Sequence, residues 1–317
     1  MRHFSGHFKE KTVLVIGDPI LDEYAFGIVE RNSPEVPTAP VVLVKREQRL
    51  LGGAANVAHN IVALGGRALL LGYLGDDDAG RSMSALLAAA KIKDLSFVSK
   101  DRPTVVKQRI FNGPQQIARM DREDLSPLSK SDLRKFKVAL GNAPRIVDFV
   151  IVSDYAKGMI SKESMRMILD RFGGDSILAD PKPVHRDLMR GLRAITPNLK
   201  EVSAMIGRPL RKHEDIREET RALSMKLSTS IITTMGHDGM MVFDEAADSF
   251  HRIPRPHVKA VDVTGAGDVA TAACALALAS GATLLEAARF ANHAASFSVT
   301  KPGTATVTLK ELKNYGY

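Results

Sequence analysis

Two periods of apolar and polar positions take turns along this chain. Thr12 to Ile16 is a short β-rich run ending at Gly17-Asp18, the pattern of a buried parallel strand that delivers an acid at its C-terminal tip. From about Ile20 to Arg49 the pattern breaks. Pro34, Pro37 and Pro40 precede the β-branched run Val41 to Val44, which predicts edge strands and turns and no helix. Gly52-Gly53 then opens a helix over 54–64 that stops at Gly65-Gly66. Ala68 to Leu74 reads as another buried strand and Asp78 to Ala90 as a helix. Thr104 to Arg109 and Gln116 to Met120 alternate on either side of Asn112-Gly113-Pro114, a hairpin signal.

After Leu125 the alternation becomes regular. Helices are predicted at 129–141, 161–172, 199–206 and 214–227, with strands at 147–152, 176–179, 193–195 and 230–234. A hairpin over 240–253 and helices 266–280 and 284–299 follow. This order predicts an α/β fold, a mostly parallel sheet with helices on both faces. The segments at about 20–49 and 103–121 would form a small β lid outside that sheet, within one domain spanning 1–317. In such sheets ligands sit beyond the carboxyl ends of the strands.

Composition narrows the classes. The 44% hydrophobic and 25% charged residues suit a soluble globular chain, and the net charge of +8 suits a polyanion, a small phosphorylated substrate or simply a basic surface. With no Trp and only 5% aromatics, binding to nucleic acid by base stacking is not expected. The single cysteine, Cys274, excludes a disulfide within the chain and lies in an Ala-rich run, so it reads as a small core residue in a reducing compartment. Met1 to Lys11 carries no apolar leader and no stretch approaches a membrane span, so no membrane partner and a cytoplasmic location are expected.

The chemistry concentrates in Asp262-Val263-Thr264-Gly265-Ala266-Gly267-Asp268, directly before a long Ala-rich helix. Glycines on both sides of Ala266 let the backbone approach a ligand without a Cβ clash. The free N–H groups and dipole of the helix start make an anion hole. Asp268 falls in the first turn, within reach of whatever that hole binds. A carboxylate beside donors for a migrating charge is the arrangement of phosphoryl transfer. The plain alternative, a helix start capped by Thr264 or Asp268 with nothing bound, suits a lone Gly-x-Gly-Asp better than this whole segment.

That segment resembles the signature of the ribokinase-like (PfkB-type) carbohydrate kinases. The resemblance implies an ATP-dependent phosphotransferase with an alcohol acceptor, Asp268 as its base, and Gly265, Ala266 and Gly267 as its anion hole. Gly52-Gly53-Ala54-Ala55-Asn56 resembles the family's N-terminal Gly-Gly signature, where Gly52, Gly53 and Asn56 would meet the sugar. Gly17-Asp18 resembles the strand-one acid that binds sugar hydroxyls. Asn198-Leu199-Lys200-Glu201 resembles the family's Asn-x-x-Glu segment, which implies Asn198 near the nucleotide phosphates and Glu201 organising Mg²⁺ through water. Thr234, Gly236 and Gly239 match the strand end that lines the nucleotide, and Asn292 matches a contact to adenine or ribose. Asp262, Thr264, Lys301 and Gly303 match the positions around a monovalent cation, K⁺.

Within the family, Gly17 to Tyr24, Ser33 to Pro37, Gly52 to Ala58, Ser153 to Gly158 and Asp180-Pro181-Lys182 resemble the D-glycero-D-manno-heptose 7-phosphate kinases. The implied reaction is phosphorylation at C1 to the 1,7-bisphosphate, on the way to ADP-heptose and lipopolysaccharide core. A sugar phosphate needs cations at its distal end. Lys107, Arg109 and Arg119 on the lid hairpin, with Lys157 and Lys182 at strand ends, are the candidates. Asp18, Asp22 and Asn56 would grip hydroxyls, and Asp154 would be a ligand or a cap. Two stretches depart from the pattern, Glu30-Arg31-Asn32 and Thr38-Ala39-Pro40, both in the lid. Some relatives carry a fused nucleotidyltransferase; these 317 residues leave no room for one, so another protein is expected to adenylylate. Exposed lid edges predict a homodimer.

Two other classes compete. A silent nucleotide or sugar binder would not need Asp268, Asn198 and Glu201 together. A dinucleotide oxidoreductase needs Gly-x-Gly-x-x-Gly after its first strand, where this chain has Gly17-Asp18-Pro19.

Overall fold

Apolar runs that alternate between two helical layers organise the main sheet. In the strand Thr12–Gly17, Val13 and Val15 pack into one core while Leu14 and Ile16 pack into the other. The first core is closed by helices Ala54–Ala63, Ala266–Ala279 and Leu284–Ser298, the second by helices that include Lys130–Asn142, Lys162–Phe172 and His213–Leu227. The computed structural model describes residues 2–315. The expected span of 1–317 runs past both ends, so Met1, Gly316 and Tyr317 lie outside the described residues.

Among the described residues the main sheet has nine strands. From Lys93–Asp94 through Arg67–Leu71, Thr12–Gly17, Phe149–Ser153, Ile177–Asp180 and Ala194–Ile195 to Ser230–Thr234, every pairing is parallel. Met240–Asp244 and Ser249–Ile253 extend it antiparallel. Parallel pairing points the strands' carboxyl ends one way, so Asp18, Asp154, Asp180 and Asn198 cluster beyond one rim.

The predicted strand over 68–74 is corrected. It divides at Gly72, where an added Cβ would lie 2.4 Å from the Pro19 ring. Tyr73–Gly75 leaves the main sheet there and pairs with Phe97–Ser99.

The lid is a four-stranded sheet in the order Pro40–Gly53, Pro19–Asn32, Val105–Asn112, Gln115–Arg122. Its first two strands are 14 residues each, far longer than the broken pattern of 20–49 suggests, because their pairing runs from Pro19↔Gly53 out to Asn32↔Pro40 and only the turn between holds Pro34 and Pro37. No helix among the described residues is long and apolar enough to cross a membrane.

Gly17 closes the first strand where backbones crowd: a Cβ there would sit 2.0 Å from the Ser153 carbonyl oxygen. Gly17→Ala is therefore expected to lower stability by about 1–3 kcal/mol through forced strand separation. Urea denaturation measures it, and an unchanged midpoint would mean the strand ends part freely.

Candidate active site

The helix Ala266–Ala279 decides the electrostatics of the site. It is apolar all round and buried from Asp268 to Ala277, so its first turn carries a carboxylate into the edge of the core. Gly265 enters it with φ 77°, a left-handed conformation that costs little only for glycine. Among the described residues no acceptor takes the Gly267 or Asp268 amide, so both point donors out of the helix start. A Cβ added at Gly267 would meet nothing within 4 Å, so the strand-to-helix turn presents an open cradle.

Asp268 is only 5% exposed. Asn56 Nδ2 donates to its Oδ2 at 2.7 Å, and the Tyr155 hydroxyl donates to its Oδ1 at 2.5 Å. Burial raises its pKa to about 6, against the pull of those two hydrogen bonds. Asp268 shares a cavity of about 250 Å³ with Tyr155, Asp180, Lys182, Asn198 and Glu201. This opens through Asn198 and Thr234 into a groove of about 1090 Å³, lined also by Gly236, Val263 and Ala266. A side cavity of about 130 Å³ reaches Gly239, Arg255 and Asn292. The Asn292 amide itself donates to the Pro254 carbonyl, at 2.9 Å.

Asn198 and Glu201 form a reciprocal capping box at the start of helix Leu199–Ile206. Thr234 N bonds the Pro197 carbonyl and a bridge joins Asn198 to Thr234, which seats this helix against the strand end. Glu201 Oε1 also accepts from Lys182 Nζ at 2.5 Å. Burial works against the Lys182 ammonium, but the Glu201 carboxylate prevails and raises its pKa. Asp180 is pushed well above the usual carboxylate range by burial, then by the Glu201 charge. Two acids crowded beside a groove are the donor chemistry a divalent cation relieves.

The assignment of Asp18 is corrected, and of the two readings of Asp154, ligand or cap, the structure shows the cap. Asp18 does not face a ligand: it is fully buried, Oδ2 accepts from the Tyr155 and Lys157 amides and Oδ1 from the Met159 amide. Burial still raises its pKa to about 6. Asp154 is equally buried, its oxygens taken by the Ala156 and Lys182 amides and His185 Nδ1. Both acids shape the loops that carry Tyr155 and Lys182. The glycine pair also has a different job, since a Cβ at Gly52 would strike the Asp22 carboxylate at 2.1 Å and one at Gly53 the Asp18 carbonyl at 2.5 Å. They admit neighbouring protein groups.

The candidate cations differ in what holds them. Arg109 pairs with Asp22 at 2.7 Å, Arg119 with Asp121, Lys157 with Glu123 and Lys182 with Glu201. Lys107 has no carboxylate within 4 Å among the described residues; its ammonium sits 5.4 Å from the Tyr155 ring centroid, and burial lowers its pKa. Asp262 ties two loops together. Its Oδ1 accepts from Thr264 N and Oγ1, and its Oδ2 accepts from Gly303 N. The Lys301 side chain turns to Glu311 and the Thr306 carbonyl.

Tyr155, which lines the cavity and bonds Asp268, is the site residue the sequence reading passed over. Its signal was its place two residues beyond a buried strand that ends at Ser153, at the rim where the ligand belongs.

Residues 12–311 match the pfkB family carbohydrate kinases. The chain is 40% identical to Bifunctional protein HldE of Caulobacter sp. (strain K31) over 98% of its length, and 36% identical to the protein of that name from Haemophilus influenzae (strain PittEE) over 99%. It spans 63% and 65% of those relatives' own lengths. Phosphofructokinase-2 from Escherichia coli, solved with substrates and products, has a TM-score of 0.78 at 20% identity, covering 96% of this chain and 97% of that one. Ribokinase from Arabidopsis thaliana, solved with ribose and ATP, has a TM-score of 0.74 at 22% identity, covering 96% and 98%. These two likenesses establish a ribokinase-like fold.

Gly267→Ala is expected to leave the melting temperature unchanged or higher, since its methyl meets nothing and alanine favours the helix. The same methyl fills the cradle, so affinity for ATP should fall about tenfold or more. Calorimetric titration beside thermal melting checks both, and undiminished ATP binding would remove the cradle from the site.

A reaction that uses Asp268 as base needs its ionised form, so kcat/KM should fall as pH drops through about 6. Unfolding has the opposite sign. Asp18 and Asp268 both have folded pKa values raised above 3.8, so their contribution to stability grows as pH falls through 6 toward 4. Rates and melting temperatures measured between pH 5 and 8, a range chosen to bracket the titration of about 6, separate the two. A rate loss that tracks a falling melting temperature would exclude Asp268 titration as its cause.

Proposed function

This chain belongs to the pfkB family of carbohydrate kinases and is an ATP-dependent sugar kinase; from that premise we propose that it phosphorylates D-glycero-D-manno-heptose 7-phosphate at C1. The product is the 1,7-bisphosphate, a precursor of ADP-heptose for lipopolysaccharide core. The reading of the chemistry is carried by one observation, the buried Asp268 carboxylate facing the cavity with two free amides at its own helix start.

Asp268 takes the proton of the C1 hydroxyl as that oxygen attacks the γ-phosphorus and ADP departs. The Gly267 and Asp268 amides, at the positive end of the helix dipole, bind the charge on the migrating phosphoryl group. Glu201, beside Asp180, would hold Mg²⁺, and the residues present fit it. Magnesium supplies charge neutralisation on the nucleotide phosphates when bound. The adenine end would lie toward Gly236, Gly239 and Asn292. The loops joined by Asp262 and Gly303 would hold K⁺.

Support for a phosphorylated substrate comes from Lys107. It is a half-buried lid cation with no carboxylate partner among the described residues, while Arg109, Arg119, Lys157 and Lys182 are each paired. An ammonium with no carboxylate within ion-pair distance, set over a tyrosine that lines the Asp268 cavity, favours an anionic acceptor. Asp22 and Asn56 would meet its hydroxyls. A homodimer through the lid belongs to this reading, supported by the half-exposed Leu43, Val44 and Met120 on that sheet. So does a cytoplasmic location.

The test is ADP release with heptose 7-phosphate, fructose phosphates, ribose and adenosine, with Asp268→Asn as control. Heptose 7-phosphate should give the highest kcat/KM, and Asp268→Asn should lose about 10²–10⁴ in kcat while still binding ATP. Equal or greater activity on ribose or adenosine would sink the heptose assignment. A variant at near wild-type rate would sink the base.

A further inference from the structure

Two side chains touch the Asp268 carboxylate, and the reaction as described uses neither bond. Asn56 holds Oδ2; Tyr155 holds Oδ1 at 2.5 Å. The Tyr155 loop is itself locked, because its backbone amide and that of Lys157 both donate to buried Asp18. Two ammonium groups from distant segments lie near the ring. Lys107 of the lid is 5.4 Å from its centroid and Lys182, beside the nucleotide groove, is 5.5 Å. Backbone, ring and hydroxyl are thus each fixed by a different part of the protein. Such convergence on one phenol is more than packing a tyrosine requires.

We propose that Tyr155 is the positioning residue of the catalytic base, holding the Asp268 carboxylate in one rotation and in its ionised form. The proposal rests on Asp268 being that base. Its phenol is suited to the task because burial, then the Asp268 charge, push its pKa well above 10, so it stays a donor at every working pH. A group that never gives up its proton cannot compete for the proton of the acceptor hydroxyl. The groups facing Asp268 come from four elements. Asp22 on the lid opposes its ionisation, as does Asp180 at its strand end, while Lys182, Tyr155 and Asn56 favour it. The phenol's bond to a charged oxygen is one of the two that offset burial, so its removal frees the carboxyl to titrate higher.

Tyr155→Phe keeps the ring and both cation contacts and deletes only the hydroxyl. The acid limb of kcat/KM is expected to move up by about one pH unit. At pH 7 kcat should fall about tenfold from lost orientation, with KM for ATP unchanged. A second readout needs no turnover: the carbon-13 titration of the Asp268 carboxyl in the ligand-free protein, assigned by its absence in Asp268→Asn, should move up alongside the limb. A Tyr155→Phe protein whose limb and carboxyl titration both stay at the wild-type position overturns the proposal, whatever its overall rate. If Asp268→Asn keeps its activity, the base assignment fails instead. The carboxyl titration still reports whether Tyr155 holds Asp268, so the two failures are distinguishable.

Discussion

Everything in this site depends on ionising one carboxylate where water is scarce. Asp268 stands on the first turn of an apolar helix that is buried through Ala277, so the protein works against its charge from the start. The hydrogen bonds from Tyr155 and Asn56 partly undo that opposition. The balance leaves a carboxylate with a pKa of about 6, ionised at neutral pH yet able to accept a proton, the condition general-base chemistry asks for. A more exposed aspartate would ionise easily and accept a proton poorly; one buried without its two donors would titrate higher still.

The neighbouring acids divide the remaining work by burial. Asp18 and Asp154 are wholly enclosed and spend their oxygens on backbone amides of the loops 154–159 and around Lys182. Those loops then bring Tyr155 and Lys182 to Asp268. Asp22, on the lid, binds Arg109 and also crowds Gly52, so the lid and the Gly-Gly helix start are packed as one unit. Strand ends of a parallel sheet collect acids at one rim by topology alone. Which acid meets ligand and which holds a loop depends on the last few ångströms of burial.

That distinction explains how far the sequence could be read. The parallel core was legible because its strands are apolar on both faces, as Val13 to Ile16 illustrate. The helix start at Gly265 to Asp268 was legible because only glycine tolerates the left-handed entry and only a bare position leaves the cradle open. Asp18 was misread, and Asp154 left between ligand and cap, because a strand-end acid has the same local pattern whether its oxygens face solvent or backbone amides. The division at Gly72 was hidden as well. It arises from a contact with Pro19, 53 positions away in the chain, and periodicity carries no information about such contacts. The contacts of Tyr155 were hidden for the same reason, since its partners Asp268, Lys107 and Lys182 come from three distant segments.

Lys107 shows why the lid and the base belong to one device. Four of the five candidate cations are neutralised by a neighbouring carboxylate, and a neutralised cation offers an incoming anion little net attraction. Lys107 alone among them has no carboxylate within ion-pair distance; it lies over the face of Tyr155 with Asp22 on the neighbouring strand, and burial still lowers its pKa. An anionic acceptor arriving under the lid would therefore gain its best electrostatic contact at a side chain that rests on the very ring whose hydroxyl grips Asp268. The lid cation and the buried carboxylate thus meet at one phenol, which also has Lys182 near its ring.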